Sequence, residues 1–202
     1  MTDPAPTSPR ASGRRPGPDS SRADILRAAQ RAFAATGYDG TSVRRIAAVA
    51  GVDPSTVLHF FGTKERLFQE VVEEVAGTLR PVLTALSEGA PGRELALRYL
   101  EIWDDEDSGP AIRALVRATL GSERAIELLR DTMLGTLLAA VPDSNHFGAQ
   151  LALSHLLGTA IARHLGRLPA LAEADLEVIA AHVGPSIDRY LVPRNTEVKD
   201  RE

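Results

Sequence analysis

Residues 41 to 64, TSVRRIAAVAGVDPSTVLHFFGTK, constrain this chain more tightly than any other stretch. Val43, Ile46, Ala47 and Ala50 recur at i, i+3, i+4 and i+7, the stripe of an amphipathic helix. Gly51 follows at once and can take the positive φ of a sharp turn between helices. Asp53 and Pro54 then supply an N-cap and a first-turn proline, so a second helix opens there. Only a few residues of it fit before Gly62. A helix that short is not stable alone, so its neighbours must hold one side while the other stays free. The pattern predicts helix, turn, helix.

These residues resemble the DNA-binding domain of the TetR family of repressors. The resemblance rests on Ala28, Ala29, Phe33 and Gly37 in a leading helix, on Ile46 and Ala47, and on Ala50, Gly51 and Val52. Phe61, Lys64, Glu65 and Leu67 complete it, and it covers about residues 21 to 70. The family usually has a phosphate-touching tyrosine three residues before Phe61; here Leu58 stands there, followed by His59 and Phe60. The later part, notably Tyr99 to Trp103 and the last two helices, resembles the ligand-sensing and dimerisation region of the same family.

Composition agrees with an all-α fold. Alanine and leucine dominate, aromatics make up 4% of the chain, and no clear run alternates with period two. There is no cysteine, which excludes disulfides and thiolate zinc sites and fits a reducing cytoplasm. No apolar leader and no run of about 18 apolar residues occurs, so a cytoplasmic protein without a membrane span is expected. Charge divides the 202 residues unevenly: residues 1 to 64 carry a net +4 and residues 65 to 202 a net −8. A basic end on an acidic body suits a DNA reader joined to a domain with a different partner.

The expected organisation is a disordered basic arm over 1–20, with Arg10, Arg14 and Arg15, then a three-helix helix-turn-helix domain over 21–66. A larger helical effector-binding and dimerisation domain follows over 67–192, with a disordered tail over 193–202. Ser20 or Ser21 is expected to cap the first helix, and Thr63 the fourth. Pro81 should kink or stop that fourth helix. Five further helices are expected over 92–104, 109–120, 123–140, 145–165 and 173–191. The last two are apolar around much of their girth and rich in small residues, so they are expected to pair with a second copy in a four-helix bundle.

If the helix from Asp53 to Phe60 enters the major groove, Ser55, Thr56 and His59 are candidates for base edges. Thr41, Ser42 and Lys64 are candidates for phosphates. Arg44 and Arg45 point about 100° apart and so do different jobs, Arg45 being favoured for a base or phosphate. Val57 and Leu58 are expected to pack in the core or at its edge and Phe61 in the core, while Phe60 fits either DNA or the first helix. An effector pocket in the body would draw on Tyr99, Trp103, Arg117, Met133 and His155.

No enzyme is expected, and no cofactor or metal. The sequence has no Gly-rich phosphate loop, no Gly-x-Ser-x-Gly and no His-Glu-x-x-His. His146, His155 and His164 recur every nine residues, which puts successive members on opposite faces of a helix. The acidic run Asp104 to Asp107 reads as a solvated loop. The expected function is a homodimeric repressor on palindromic double-stranded DNA, released by an unknown small molecule. A helical DNA-binding protein without an effector is the alternative.

Overall fold

The structure is a computed structural model, and it describes residues 18 to 192. The arginine arm and the charged tail lie outside the described residues. Eleven α-helices and one 3₁₀ turn, Asp143–Asn145, make up the regular structure among the described residues.

Helix α1, Pro18–Thr36, buries Ile25, Ala28, Ala29, Ala32 and Phe33 along one face and ends at Gly37. It starts earlier than expected, and Ser20 and Ser21 lie within its first turn rather than at its cap. Pro18 opens it, because a proline has no N–H to leave unsatisfied in a first turn. Helix α2, Val43–Ala50, is capped by Ser42, whose side chain accepts from the Arg45 N–H at 3.2 Å. It ends on Gly51, whose φ of 69° is the left-handed geometry that the turn requires. Helix α3, Pro54–Phe61, starts from Asp53, whose carboxylate accepts from the Ser55 N–H at 2.8 Å.

Helix α4, Lys64–Gly77, is capped by Thr63 and carries two packing duties along one stripe. Its first half closes the core of α1 to α3: Phe68 meets Phe33 edge-on at 5.0 Å and Tyr38 at 4.9 Å. Its second half, through Val75 and Leu79 just beyond it, reaches into the body. The expected division at residue 66 therefore cuts a packed unit, because Leu67 and Phe68 belong to the N-terminal core.

Pro81 stops α4 as expected, but the chain at once begins a new helix, α5, Arg80–Ser87, with the proline in its first turn. The body continues with α6 (Gly92–Asp104), α7 (Ser108–Thr119), α8 (Glu123–Leu138) and α9 (His146–His164). A short α10, Pro169–Glu173, precedes α11, Leu176–Leu191. The single helix expected over 173–191 thus starts later, with α10 separate from it. Two of these helices touch the N-terminal unit: α7 lies on both α1 and α4, and α8 packs on α4. The Tyr38 N–H donates to the Ala118 carbonyl at 3.1 Å, tying the end of α1 to α7.

The small residues of the last two long helices serve the subunit itself. Helices α6 and α11 approach so closely that a Cβ on Gly184 would stand 2.6 Å from the Arg93 Cα. The Gly92 N–H donates to Asp188 at 2.6 Å across the same contact. Gly148 lies against the Tyr190 carbonyl with no room for a side chain, and Ala149, Ala152 and Ala160 are buried within the subunit. Only part of that small-residue pattern, such as Gly158, faces outward.

Candidate DNA-reading face and effector cavity

The reading face is built by subtraction. In α3, Val57 and Phe61 are one turn apart and point inward, 1% and 4% exposed. The Arg22 guanidinium lies 5.1 Å over the Phe61 ring and pairs with Glu70 on α4, pinning the far end of α3. What remains outward is Ser55, Leu58 and His59, with Thr56 half-buried at the edge. On α2 the inward pair Ile46 and Ala47 leaves Arg44, Arg45, Ala48 and Val49 outward. Both arginines are exposed, and no described side chain makes an ion pair with either of them. The Ser55 hydroxyl and N–H hold the Asp53 carboxyl below its ordinary range, so the cap is a carboxylate at neutral pH.

Several expected contacts are placed differently. Thr41 is buried at 3% exposure: its hydroxyl lies 3.1 Å from the Ala32 carbonyl, 2.7 Å from that of Gly37 and 2.9 Å from the Thr36 hydroxyl. That group closes the corner between α1 and α2 and cannot serve a phosphate. Ser42 is exposed and uses its oxygen as the α2 cap, which leaves its O–H to donate outward. The Lys64 ammonium rests 4.1 Å over the Tyr38 ring, a cation–π contact that it must leave to reach DNA. Burial and the Glu65 carboxylate push the Tyr38 phenol up to about 12, so that ring stays neutral.

Leu58 corrects another expectation. It is 46% exposed beside Ser55 and His59, because the inward positions of α3 are already taken by Val57 and Phe61. Val49, 45% exposed on α2, is its apolar counterpart and was not foreseen. The signal was present in the stripe of α2, since position 49 falls outside the set Val43, Ile46, Ala47 and Ala50 and to one side of it. Phe60 is half-buried against the core, its ring 5.5 Å from His59, and is not a free platform for a base.

The body holds a cavity of about 360 Å³, within the range of small-molecule sites. Tyr99, Trp103 and Met133 line it as expected, joined by Val75 and Leu79 from the α4 end and by Ile112 and Val116 of α7. Arg117 and His155 do not. Arg117 turns to a separate polar cleft, and His155 packs its ring on Tyr190 at 6.0 Å between α9 and α11. The one charged lining residue among those described is Arg130, which pairs with Asp131 at 2.8 Å. Burial raises the Tyr99 phenol well above its ordinary range, so it is a neutral polar group in a mostly apolar wall.

The three histidines stand apart as single packed side chains, and no group of metal-ligating residues occurs among the described residues. The acidic run is partly structural: Asp105 accepts from the Ser108 N–H at 2.7 Å, and Asp104 from Arg163 at 3.2 Å.

A three-helix unit with an open reading helix, packed through α1 and α4 on a larger cavity-bearing body, defines a helix-turn-helix transcriptional regulator rather than an enzyme. Residues 25–71 match the family model described as bacterial regulatory proteins, tetR family. Residues 90–191 match the model for the tetracyclin repressor-like C-terminal domain. The chain belongs to the TetR family. A TetR-family regulator from Streptomyces coelicolor A3 is 36% identical, with a TM-score of 0.68 over 89% of this chain and 99% of that one. The HTH-type transcriptional repressor AcnR of Corynebacterium glutamicum is 39% identical over 67 residues, 33% of this chain and 36% of the relative. The repressor NicS of Pseudomonas putida is 32% identical over 88 residues, 43% and 42% of the two chains. The chain thus matches less than half the length of these curated relatives. No helix among the described residues is long and apolar enough to cross a membrane.

Proposed function

We propose that this protein is a repressor that binds a near-palindromic operator as a homodimer and is released by a small molecule held in the body cavity. The observation that carries DNA reading is the outward face of α3, where Ser55, Leu58 and His59 stand exposed on a helix clamped from behind by Val57 and Phe61. Ser55, Thr56 and His59 would meet base edges, and Ser42, Arg44, Arg45 and Lys64 the flanking phosphates.

Dimerisation through α9 and α11 is supported by their outer faces. Leu151, Ser154 and Gly158 follow one another along α9, and Val178, Ala181, His182 and Pro185 along α11, all exposed. Two such faces would bury an apolar patch in a symmetric contact and set two reading helices about 34 to 36 Å apart.

Release follows from the double duty of α4. A molecule pressing on Val75 and Leu79 shifts the same helix whose Phe68 anchors the reading unit. A dimer whose reading helices change spacing loses one half-site and with it most of its affinity. The cavity supports this reading over an effector-free one.

Selection of bound genomic fragments, followed by gel shifts on the selected duplex, tests the proposal. A symmetric site bound by a dimer, with affinity lost on adding a cavity ligand, is the expected result. A protein that ignores duplexes even at low salt overturns it.

A further inference from the structure

The body carries another concave site of opposite character, on the far side of the Trp103 wall of the cavity. Arg113 and Arg117 stand one turn apart on α7, Arg163 lies near the end of α9, and Arg167 follows in the turn. With Asp104 and His164 they surround an open cleft of about 360 Å³. Four guanidiniums face one carboxylate there, in a part of the chain whose net charge is −8. Crowding like charges in one cleft is unfavourable unless something neutralises them.

Two of the four arginines have structural duties. Arg113 donates to the Trp103 carbonyl at the end of α6, and Arg163 donates to the Leu171 and Ala174 carbonyls and to Asp104. Arg117 and Arg167 are exposed and make no ion pair among the described residues. Arg167 also holds a φ of +49°, the one left-handed non-glycine residue among those described. An L side chain adopts that region at a cost, and here it sits on a residue that lines the cleft. Beside it, the buried His164 Nε2 has no hydrogen-bond partner, with the Asp104 carboxylate 3.4 Å away.

We infer that this cleft is an oxyanion site that takes a phosphate group, with Arg117 and Arg167 as its direct ligands. Planar guanidinium forks match phosphate oxygens in pairs, and Arg113 and Arg163 supply additional positive field from fixed positions. Asp104 is already engaged by Arg163, which limits its repulsion of an incoming anion. The His164 ring stacks on Trp103 at 5.6 Å, and Trp103 lines the cavity. An anion beside His164 therefore acts on the cavity wall, giving the body a second chemical input. Trp103 is the only tryptophan in the chain, so its fluorescence reports on the cleft.

The test uses the full chain without DNA, so it stands apart from the operator reading. Inorganic phosphate, pyrophosphate and glycerol phosphate are each titrated at constant ionic strength set with potassium chloride, following tryptophan fluorescence and heat. A saturable response to at least one of them is expected, and the tightest shows whether a free or an esterified phosphate fits best. Arg117→Ala and Arg167→Gly should each weaken it by about tenfold or more. The glycine variant removes the guanidinium while relieving the backbone, so a misfolded protein is not the expected outcome. Arg124→Ala, which removes a cation paired with Glu127 on α8, should change nothing. A response that tracks ionic strength alone overturns the inference, as does full affinity in the Arg117→Ala, Arg167→Gly double variant or no response to any of the three anions.

Discussion

The N-terminal unit and the body are built from the same kind of helix, yet they are packed to different ends. The reading unit is closed tightly around Phe33, Tyr38 and Phe68, and its open side is outside, on α2 and α3. The body instead surrounds a largely apolar cavity of about 360 Å³ that reaches the surface at Leu120 and Ile126. A rigid head holds side chains at fixed positions for a rigid duplex, whereas a body with an unfilled cavity can be reshaped by what fills it. The contrast places precision and responsiveness in separate units that share one helix, α4.

The contrast breaks first at the cores. Phe68→Ala should cost about 3–5 kcal/mol and abolish duplex binding, because it empties a filled aromatic cluster. Met133→Ala should cost about 1–2 kcal/mol, since that side chain already faces a void. Thermal or denaturant unfolding compares the two, and equal losses would erase the distinction.

Filling the void sharpens it. Val116→Phe, directed into the cavity, should stabilise the body by about 1 kcal/mol and leave the protein on DNA when effector is added. A falling melting temperature would mean that the space is already closed in solution.

On the reading face the expected effects divide by chemistry. Arg45→Ala should weaken binding on all duplexes alike and lower the salt slope by about one. Thr56→Ala should leave that slope unchanged and change which sequence is preferred, by about 1 kcal/mol at one base pair. Salt-dependent gel shifts on the selected site and a scrambled duplex separate these outcomes.

The smallest effect is a pH dependence confined to the body. Burial lowers the His164 pKa, with Arg163 and Arg113 adding to the shift and Asp104 opposing it. A base whose folded pKa lies below its unfolded value binds more protons when unfolded, so stability rises with pH. The contribution is intact above the unfolded value of about 6.5 and is lost as pH falls through the lowered folded value. His164→Gln should flatten the unfolding midpoint between pH 7 and pH 5, and an unchanged profile would assign that dependence elsewhere.

Much of the reading unit was legible because its signals are local. Gly51, Asp53 and Thr63 act on the backbone within a few residues, and the structure has each in its expected role. Leu58 and Thr41 were misread because exposure depends on which neighbours have already filled the core. Thr41 bonds a carbonyl nine residues away, and no periodicity within α2 carries that information. In the body, Tyr99, Trp103 and Met133 were found by their type on helical stripes, while Arg117 and His155 were not separable from them. Whether a stripe faces a cavity, a cleft or another helix depends on helices far apart in the chain. The short α5 and α10 were missed because each has less than three turns of pattern to read.

Caps, glycine turns and apolar periodicity were enough to determine an all-helical chain with a helix-turn-helix near its start, since all of these act through the chain's own neighbouring atoms. Only the assembled structure decided that Leu58 faces outward, that the glycines of α9 and α11 bring helices together within the subunit, and that α4 touches both core and cavity. Those outcomes depend on which surfaces meet at close packing, a property of the whole set of helices together.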